Sequence, residues 1–410
     1  MSKKILFGGL LITGDGELIE NSYIVIDGEK ISAVGVGSKD NVPSDAEFID
    51  VTGKTVMPGL IDAHLHIIGG KSLNLAQMAL EPRELQMGRA LKDLDKLIDA
   101  GFTAVRDVGS PIAVHIRQLI QEGVYTGPRI KTSNLMLSQT AGHGDMHMLP
   151  PSFNLFRVCD GADECRKAAR EQFRAGADFI KISSSGGVLS EKDDPRSPQF
   201  TIEEIEAIVY EAEAVGSYVA SHAQSTIGIK NALKAGVKTI EHGILIDQEG
   251  IEMMLERDAI LVPTLSIVKR IVEQGHLYGV PDFGLRKAKA YYEIHKENMY
   301  KAYEAGVKIA AATDFLGCPP VEHGGNAEEL QIFVDDLGFS PMEAIVSGTQ
   351  HAADALAIGG EVGSIKEGKL ADLIVVDGNP LEDINVLVKT ENIEKVFVGG
   401  ELLKDKVKLP

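Results

Sequence analysis

The sequence predicts an α/β fold, a (β/α)8 (TIM) barrel accompanied by a small β-sandwich domain formed from both chain ends. Three observations carry this prediction. One phrase repeats along the middle of the chain: a helical stretch ends in a small residue and glycine, and a short apolar strand follows at once. Both flanks carry period-two strands and turns instead. The chain has 410 residues, 44% of them hydrophobic, which is enough to bury a large core.

The repeated phrase supplies the strands of the predicted barrel. Glycine just after a helix relieves left-handed backbone strain, so each phrase indicates a helix, its C-cap and a strand. The five close copies are LIDAGFTAVRD, FRAGADFIKIS, EAVGSYVASHA, LKAGVKTIEHG and YEAGVKIAAATD. Two looser copies, GVYTGPRIKTSN and LERDAILVPTL, and the opening TVMPGLIDAHLH bring the strands to eight. Strands that alternate with helices at this spacing predict a parallel sheet, which we expect to close into a barrel at residues 57–356.

The two flanks predict a second, smaller domain. Residues 1–56 contain NSYIVIDGEKISAVG, and residues 357–410 contain KLADLIVVDGNP and IEKVFVGGELL, all with strand-like alternation. Neither flank alone buries much apolar surface, so we expect the two ends to pair into one β-sandwich beside the barrel. This domain is discontinuous in sequence.

Composition excludes several classes of partner. The formal net charge of −19 argues against nucleic acid or an anionic membrane, because both bind basic faces. No apolar segment approaches the ~20 residues of a membrane helix, and the short apolar run in MSKKILFGGLLITGDGE indicates a strand rather than a secretory signal. The three cysteines have no CxxC spacing, so neither a disulfide framework nor a thiolate zinc site is expected. We expect a cytoplasmic homo-oligomer that acts on a small molecule.

Side chains that can bind metal ions or take part in catalysis stand at the carboxyl ends of the predicted barrel strands. His64 and His66 end strand one, and period-two alternation turns both inward at metal-ligand spacing. Taken alone, the pair could equally be loop histidines bonded to carbonyls. Four further strand ends carry such residues: Lys181 on strand four, His222 on strand five, His242 on strand six and Asp314 on strand eight. Because active sites of barrels lie at the carboxyl ends of strands, the set predicts one site.

These motifs resemble the amidohydrolase superfamily, in the branch that has two metal ions and a carboxylated bridging lysine. The resemblance rests on PGLIDAHLH, on the strand-end residues, and on the terminal GSIKEGKLADLIVVDGNPL, so it covers essentially the whole chain. Within the superfamily, AGHGD, GADFIKISSSGGV, HGILID and VPTL are similar to prolidase-like members, which are metal-dependent dipeptidases that cleave a residue from the C-terminal side.

The resemblance implies a binuclear zinc site. Neutral imidazoles and a carboxylate suit Zn²⁺, whereas an ammonium cannot bind a metal. The resemblance implies that carbon dioxide converts Lys181 to a carbamate, which bridges the two ions together with a hydroxide. One ion would take His64, His66, Lys181 and Asp314, and the other would take Lys181, His222 and His242. Asp314 is expected to accept the proton of the attacking water and pass it to the leaving amine.

Loops after strands three, four, seven and eight are long and are expected to select the substrate. His143 in TAGHGD is a candidate to hydrogen-bond the substrate carbonyl or the oxyanion, with a loop-organising role as the alternative. A substrate carboxylate would need cations or donors, and Lys269, Arg270 and Tyr278 are candidates, unless they are ordinary surface residues. Gln224 stands where some prolidase-like members carry a tyrosine, so a preference for Xaa-Pro substrates stays open.

The predicted function is hydrolysis of amide bonds by a dipeptidase or carboxypeptidase-like enzyme, or by an N-acyl amino acid hydrolase. The substrate would be a dipeptide or an N-acyl amino acid. Lactone or phosphotriester hydrolysis could use the same metal pair and stays open. A mononuclear deaminase or imidazolone hydrolase generally lacks the strand-four lysine and carries a glutamate soon after the strand-five histidine, so Lys181 and SHAQSTIG disfavour it. A non-enzymatic scaffold would have lost ligands, and none of the six is missing.

Overall fold

The computed structural model describes residues 3–37, 46–146, 149–150 and 155–406. Residues 147–148 and 151–154, which belong to the loop predicted after strand three, lie outside the described residues. Two parallel sheets occupy the middle of the chain, and two further sheets are built from its ends. Among the described helices, none combines the length and the apolarity that a membrane span requires.

The amino-terminal end forms seven strands. They are β1 (Lys4–Phe7), β2 (Leu10–Ile12), β3 (Leu18–Ile19), β4 (Ser22–Asp27), β5 (Lys30–Val36), β6 (Glu47–Asp50) and β7 (Thr55–Pro58). The middle strands are β8 (Leu60–Leu65), β9 (Phe102–Asp107), β10 (Arg129–Thr132), β11 (Leu137–Ser138), β12 (Arg157–Val158), β13 (Ile180–Ser183), β14 (Val219–Ala223), β15 (Thr239–His242) and β16 (Ile260–Val262). The carboxyl-terminal end adds β17 (Leu373–Val376), β18 (Ile393–Val398) and β19 (Glu401–Asp405).

Helices alternate with the middle strands. They are α1 (Leu75–Leu80), α2 (Arg83–Asp99), α3 (Ala113–Gln121), α4 (Ala162–Arg174), α5 (Ile202–Ala214), α6 (Thr226–Lys234), α7 (Gln248–Glu256), α8 (Leu265–Gln274), α9 (Asp282–Glu304), α10 (Glu328–Leu337), α11 (Pro341–Val346) and α12 (Ala352–Ala355). Each of the five repeated phrases has its glycine in the left-handed region, with φ between 71° and 97° at Gly101, Gly176, Gly216, Gly236 and Gly306. The helix and cap of each phrase are therefore confirmed, and a regular strand follows in four of the five.

The parallel strands bring their carboxyl ends to one edge. One sheet has the order β10-β9-β8, and the other has the order β12-β11-β13-β14-β15-β16. Residues 309–315, expected as strand eight, form no regular strand. They instead make isolated parallel bridges, Ile309 with Leu261 on β16 and Phe315 with Leu65 on β8. This irregular segment thus hydrogen-bonds to the last strand of one sheet and the first strand of the other.

The two chain ends share a sheet. Its order is β19-β18-β17-β7-β2-β3, in which β7 pairs antiparallel with β17, Pro58 opposite Leu373. The second end sheet has the order β5-β4-β1-β6. One hydrophobic cluster draws on both, with Leu6 and Ile24 from one sheet and Leu373 from the other. Gly59 joins β7 to β8, and a Cβ there would lie 2.0 Å from Oγ1 of Thr103, so only glycine fits this crossing.

Candidate active site

A cavity of about 390 Å³ lies at the carboxyl edge of the parallel strands. All six predicted metal ligands line it: His64, His66, Lys181, His222, His242 and Asp314. His143 and Gln224 line it as well. Residues that are up to 250 positions apart in the chain therefore meet at one surface.

The ligand atoms lie close to one another. Oδ1 of Asp314 is 3.1 Å from Nε2 of His66 and 3.4 Å from Nε2 of His64. One ligand atom from each of His64, His242 and Asp314 falls within a common 4.8 Å. The ring of His222 completes the group, because its centroid lies 4.7 Å from that of His242. This clustering is what metal binding requires.

Two of these residues hold strained backbone. Asp314 has φ of 58° and His242 has φ of 68°, in the left-handed region that side chains other than glycine avoid. Hydrogen bonds fix both: Asp314 donates its N–H to the carbonyl of His64 at 2.7 Å, and the carbonyl of His242 accepts from Nε2 of His295 at 2.8 Å. Such strain costs about 1–3 kcal/mol and is concentrated at functional sites.

Burial sets the protonation states of the donors. It lowers the pKa values of His222 and His242 well below the usual value, and neighbouring positive charges add to the effect. Burial also raises the pKa of Asp314, but His64 and His66 outweigh it and hold that pKa well below its usual range. The two imidazoles are therefore neutral and the carboxylate is ionised, which are the forms that bind a divalent cation.

Lys181 is the unusual member of the set. Its side chain is buried, and Nζ has no hydrogen-bond partner among the described residues. Burial lowers the pKa of Lys181 to about 8, against the opposing charge of Glu241. An unpartnered ammonium is costly in such a place, whereas an amine with a pKa of about 8 is partly unprotonated near neutral pH, and the unprotonated form can react with carbon dioxide. The orphaned Nζ therefore fits the expected carbamate.

A buried ion pair, formed by Glu241 and Arg106, hydrogen-bonds to the ring of His64. Nδ1 of His64 lies 2.6 Å from Oε2 of Glu241, and Arg106 donates from Nη2 to both oxygens of that carboxylate at 2.8 and 2.9 Å. Thr239 donates to Oε1. Arg106 also holds the pKa of Glu241 well below its usual range despite burial. A carboxylate accepts only, so Nδ1 of His64 carries the hydrogen and Nε2 is the ligand atom.

Similar contacts orient two more rings. Nδ1 of His242 lies 2.7 Å from Oγ1 of Thr264, which leaves its Nε2 for a metal. Nε2 of His222 donates to the carbonyl of Gly186 at 3.1 Å, which leaves its Nδ1. His323 donates from Nε2 to the carbonyl of His66 at 3.1 Å and so fixes the backbone of a ligand residue.

His143 and Gln224 face the cavity beside the metal site. The His143 ring stacks on the His222 ring at 4.2 Å between centroids. Oε1 of Gln224 is buried without a hydrogen-bond partner among the described residues, while its backbone N–H donates to Oγ of Ser185 at 2.7 Å. Both side chains are therefore placed to contact a substrate.

The structure does not bring Lys269, Arg270 or Tyr278 to the cavity lining. The stretch that was expected to be a loop after strand seven, residues 266–282, is largely helical because α8 occupies it. Arg270 donates from Nε to Glu328 at 2.6 Å, and its guanidinium lies 4.4 Å from the Phe315 ring centroid. Nζ of Lys269 lies 3.5 Å from the same glutamate. These cations are occupied by partners of their own, so the prediction that they bind a substrate carboxylate is not supported.

Sequence reasoning misses Arg106 and Glu241. The signal was present, because each charge stands inside an apolar strand, in TAVRD and TIEHG. A charge at such a position needs a partner. Asp193, which approaches Nδ1 of His143, is missed too, and it lies in a charged loop without any distinguishing pattern.

The fold and the site together define a class of protein. The six predicted ligands, which are four imidazoles, a carboxylate and an orphaned lysine, are among the residues that line one cavity at the carboxyl edge of parallel strands, and this is the place and the donor set of metal-dependent α/β enzymes. The donors present thus fit the metal ions that the sequence resemblance implies.

Comparison with known proteins identifies the family. The pattern of the amidohydrolase family matches residues 55–403. An ochratoxinase of Aspergillus niger is 34% identical over 427 aligned residues, which cover 98% of this chain and 86% of that protein. A prolidase solved with N-methylphosphonate-L-proline superimposes with a TM-score of 0.92 at 38% identity, covering 98% of this chain and 100% of the other. A Xaa-Pro dipeptidase with methionine in its active site gives 0.90 at 37% identity, with the same shares covered.

The chain therefore belongs to the amidohydrolase family, and it is a hydrolase that acts on amide bonds. The resemblance to prolidase-like amidohydrolases drawn from the motifs is confirmed.

Proposed function

We propose that this enzyme is a zinc-dependent hydrolase that cleaves the amide bond of a dipeptide or an N-acyl amino acid with apolar substituents. The observation that carries the proposal is the cavity itself, in which the six ligand-type side chains face mostly apolar walls. Those walls include Leu73, Met146, Phe156, Val188, Leu189, Ile244, Ile267 and Phe283. Apolar walls select apolar substrate groups, because burial of apolar surface contributes about 25 cal/mol per Å².

The metal ligands follow the positions that the structure gathers. His64, His66 and Asp314 would hold one zinc ion, His222 and His242 would hold the other, and a carboxylated Lys181 would bridge them. When bound, such ions lower the pKa of water and polarise a carbonyl group.

The chain's own groups position the substrate and move its protons. Asp314, ionised in the structure, takes the proton of the attacking water at a carboxylate oxygen and delivers it to the leaving nitrogen. His143 faces the cavity from beside His222 and offers Nε2 to an N–H group of the substrate. Among the cavity residues that the structure describes, Lys181 is the only lysine and there is no arginine, so a substrate carboxylate would rely on uncharged donors such as the amide of Gln224.

We also propose that the two parallel sheets form one closed barrel at residues 57–356, beside a β-sandwich of residues 1–56 and 357–410. Backbone hydrogen bonds from residues 309–315 to both sheets support closure, as does the bond from Asp178 N to Thr132 O at 2.8 Å, which links β10 to the start of β13. The hydrophobic cluster shared by the end sheets supports the sandwich. A cytoplasmic homo-oligomer remains the prediction for the assembled protein.

A substrate screen tests the function. Purified enzyme loaded with zinc in the presence of bicarbonate should hydrolyse members of a panel of dipeptides and N-acyl amino acids, with preference for apolar members. Lactones and phosphotriesters are screened in parallel, and turnover confined to those compounds would overturn the proposal.

Asp314→Asn is the critical variant. It should keep the fold and lower kcat by about 10³-fold or more, because the amide cannot accept the proton. Asp335→Asn, which makes the same change at an exposed position of α10, is the matched control and should stay within about twofold of wild type. Full activity in Asp314→Asn would refute the role assigned to this carboxylate.

A further inference from the structure

The imidazole of His143 is engaged on one side by a loop that follows β13. Its Nδ1 lies 2.9 Å from Oγ of Ser190 and 3.3 Å from Oδ2 of Asp193. Ser190 donates its single hydroxyl hydrogen to Oδ1 of Asp193. Both groups can therefore only accept at His143, since a carboxylate has no hydrogen and the serine hydrogen is already used. It follows that Nδ1 of His143 carries a hydrogen.

Asp193 is held as an anion against this ring. Its side chain is only 6% exposed, and Gly187 donates its N–H to Oδ2 at 3.0 Å. Burial raises the pKa of Asp193, but hydrogen bonds from His143 and Ser190 and the charge of Lys287 outweigh it, so the pKa lies well below its usual range. The carboxylate thus has a fixed position and a fixed charge.

A lysine on α9 holds the loop in place. Lys287 donates from Nζ to three backbone carbonyl oxygens of the loop, those of Gly187 at 3.1 Å, Ser190 at 2.7 Å and Asp193 at 2.6 Å. Gly187 packs directly on the imidazole, because a Cβ there would lie 2.2 Å from Cε1 of His143. The same loop lines the cavity with Val188 and Leu189.

The other parts of the His143 ring have different neighbours. One face stacks on His222 at an interplanar angle of 18°. Among the described residues, no hydrogen bond engages Nε2 of His143, and the ring lines the cavity. Nε2 is therefore the nitrogen available to a substrate.

We propose that Asp193 is a positioning residue for His143: it fixes the Nδ1–H tautomer and the ring orientation, so that Nε2 is presented to the substrate as a hydrogen-bond acceptor for an N–H group. The inference rests on the proposed function, because His143 contacts the substrate in that cavity. Asp193 itself touches neither the substrate nor the metal ligands. Lys287 acts indirectly: its hydrogen bonds to the loop carbonyls keep the loop, and therefore Asp193, beside the His143 ring.

The tautomer is measured directly by ¹⁵N NMR on the full-length, zinc-loaded enzyme labelled at histidine, with the His143 signals assigned by loss in His143→Gln. In wild type, the hydrogen should reside on Nδ1. In Asp193→Asn, the new amide can donate to Nδ1, so the hydrogen should move to Nε2. Asp194→Asn is the matched control, because this neighbouring carboxylate pairs with Arg196 at the surface, at 2.6 Å, and should leave the tautomer unchanged.

Kinetics supply the second readout. Asp193→Asn should lower kcat/KM by about 10²-fold at unchanged zinc content, since Nε2 would then carry the hydrogen and could no longer accept from the substrate, whereas Asp194→Asn should remain within about twofold. Lys287→Met, which keeps both carboxylates, should show a mixture of tautomers and an intermediate kcat/KM. If Asp193→Asn folds poorly, this variant carries the test.

An unchanged His143 tautomer in Asp193→Asn would overturn the inference, and so would equal kcat/KM in Asp193→Asn and Asp194→Asn. For Lys287→Met, a wild-type tautomer together with wild-type kcat/KM would have the same consequence. Failure of the proposed function is distinguishable, because it would appear as a wild-type enzyme that turns over no amide, while the NMR result would stand independently.

Discussion

Glu241 joins the metal site to the interior of the fold. Its carboxylate accepts from Nδ1 of His64 at 2.6 Å and from Arg106 at 2.8 Å, and both Glu241 and Arg106 are fully buried. Removal of one member of such a pair leaves an uncompensated buried charge, which costs about 3–5 kcal/mol. The arrangement therefore fixes His64 more firmly than a bond to a neutral acceptor would.

We expect Glu241→Gln to weaken zinc binding by about 10–100-fold, because the amide retains an acceptor for His64 but loses the charge that fixes its ring. The measurement is competition with a chelator at constant pH, with the fold followed by circular dichroism. Glu211→Gln is the control, since Glu211 on α5 pairs with Arg170 on α4 at 2.7 Å and neither residue lines the cavity. Equal zinc affinity in the two variants would contradict the role of Glu241.

For single residues, the sequence predicts the metal ligands better than it predicts the buried side chains that hydrogen-bond to those ligands. His64 and His242 lie near the carboxyl ends of β8 and β15, and Asp314 follows an apolar segment predicted as a strand, so the rule that active sites lie at the carboxyl ends of parallel strands suffices to bring them together. Arg106 and Glu241 lie within β9 and β15, which belong to different sheets. Their contact depends on the three-dimensional register between those sheets, and no local pattern in the sequence encodes it.

Among the elements, α8 departs most from the sequence prediction. Its segment was expected as a loop, yet Leu265–Gln274 is helical, and Ile267, Val268 and Ile271 on one face line the cavity. The helix begins after Thr264, whose φ is 57°. Charged residues near the helix mask its apolar periodicity, and its N-terminal partner comes from a distant part of the chain.

That partner is Glu329 on α10. Its carboxyl oxygens accept the N–H groups of Leu265 at 2.8 Å and Ser266 at 2.7 Å, which are the donors that a helix start leaves unsatisfied. Burial nevertheless raises the pKa of Glu329 to about 8. Between about pH 4.5 and pH 8, the folded protein thus keeps a proton that the unfolded chain has released, and the free energy of unfolding falls as pH rises.

Glu329→Gln should remove this pH dependence. Because the amide does not titrate, the free energy of unfolding of the variant should decline less steeply between about pH 5 and pH 8, by up to about 1.4 kcal/mol per pH unit relative to wild type. Urea unfolding at a series of pH values gives both slopes. Glu252→Gln, at an exposed position of α7, should reproduce the wild-type slope, whereas parallel slopes for Glu329→Gln and wild type would show that Glu329 is ionised when folded.

In the whole molecule, stability and chemistry lie at opposite ends of the parallel strands. The ligands stand at the carboxyl ends, whereas the end sheets contact the amino ends: Asp372, just before β17, binds Arg129 at the start of β10. The carbonyl of Asp372 also accepts the N–H of Gly59, just before β8. Period-two alternation in the flanks was enough to predict that the chain ends pair, but not where they meet the parallel sheets, because that contact is made by single side chains.

Asp372→Asn tests this separation. Arg129 donates to the carboxylate from Nε at 2.6 Å and from Nη2 at 3.0 Å, and Gly399 donates its N–H at 2.7 Å, so loss of the charge should cost about 1–3 kcal/mol and lower Tm by several degrees. Zinc affinity, kcat and KM should stay at wild-type values, because none of these contacts reaches the cavity. Glu241→Gln should instead lower zinc affinity as well as stability, because it removes the partner of both His64 and the buried Arg106. If Asp372→Asn lost zinc affinity or turnover in proportion to stability, the end sheets would have to shape the active site themselves. The claim that stability and chemistry lie at opposite ends of the parallel strands would then be refuted.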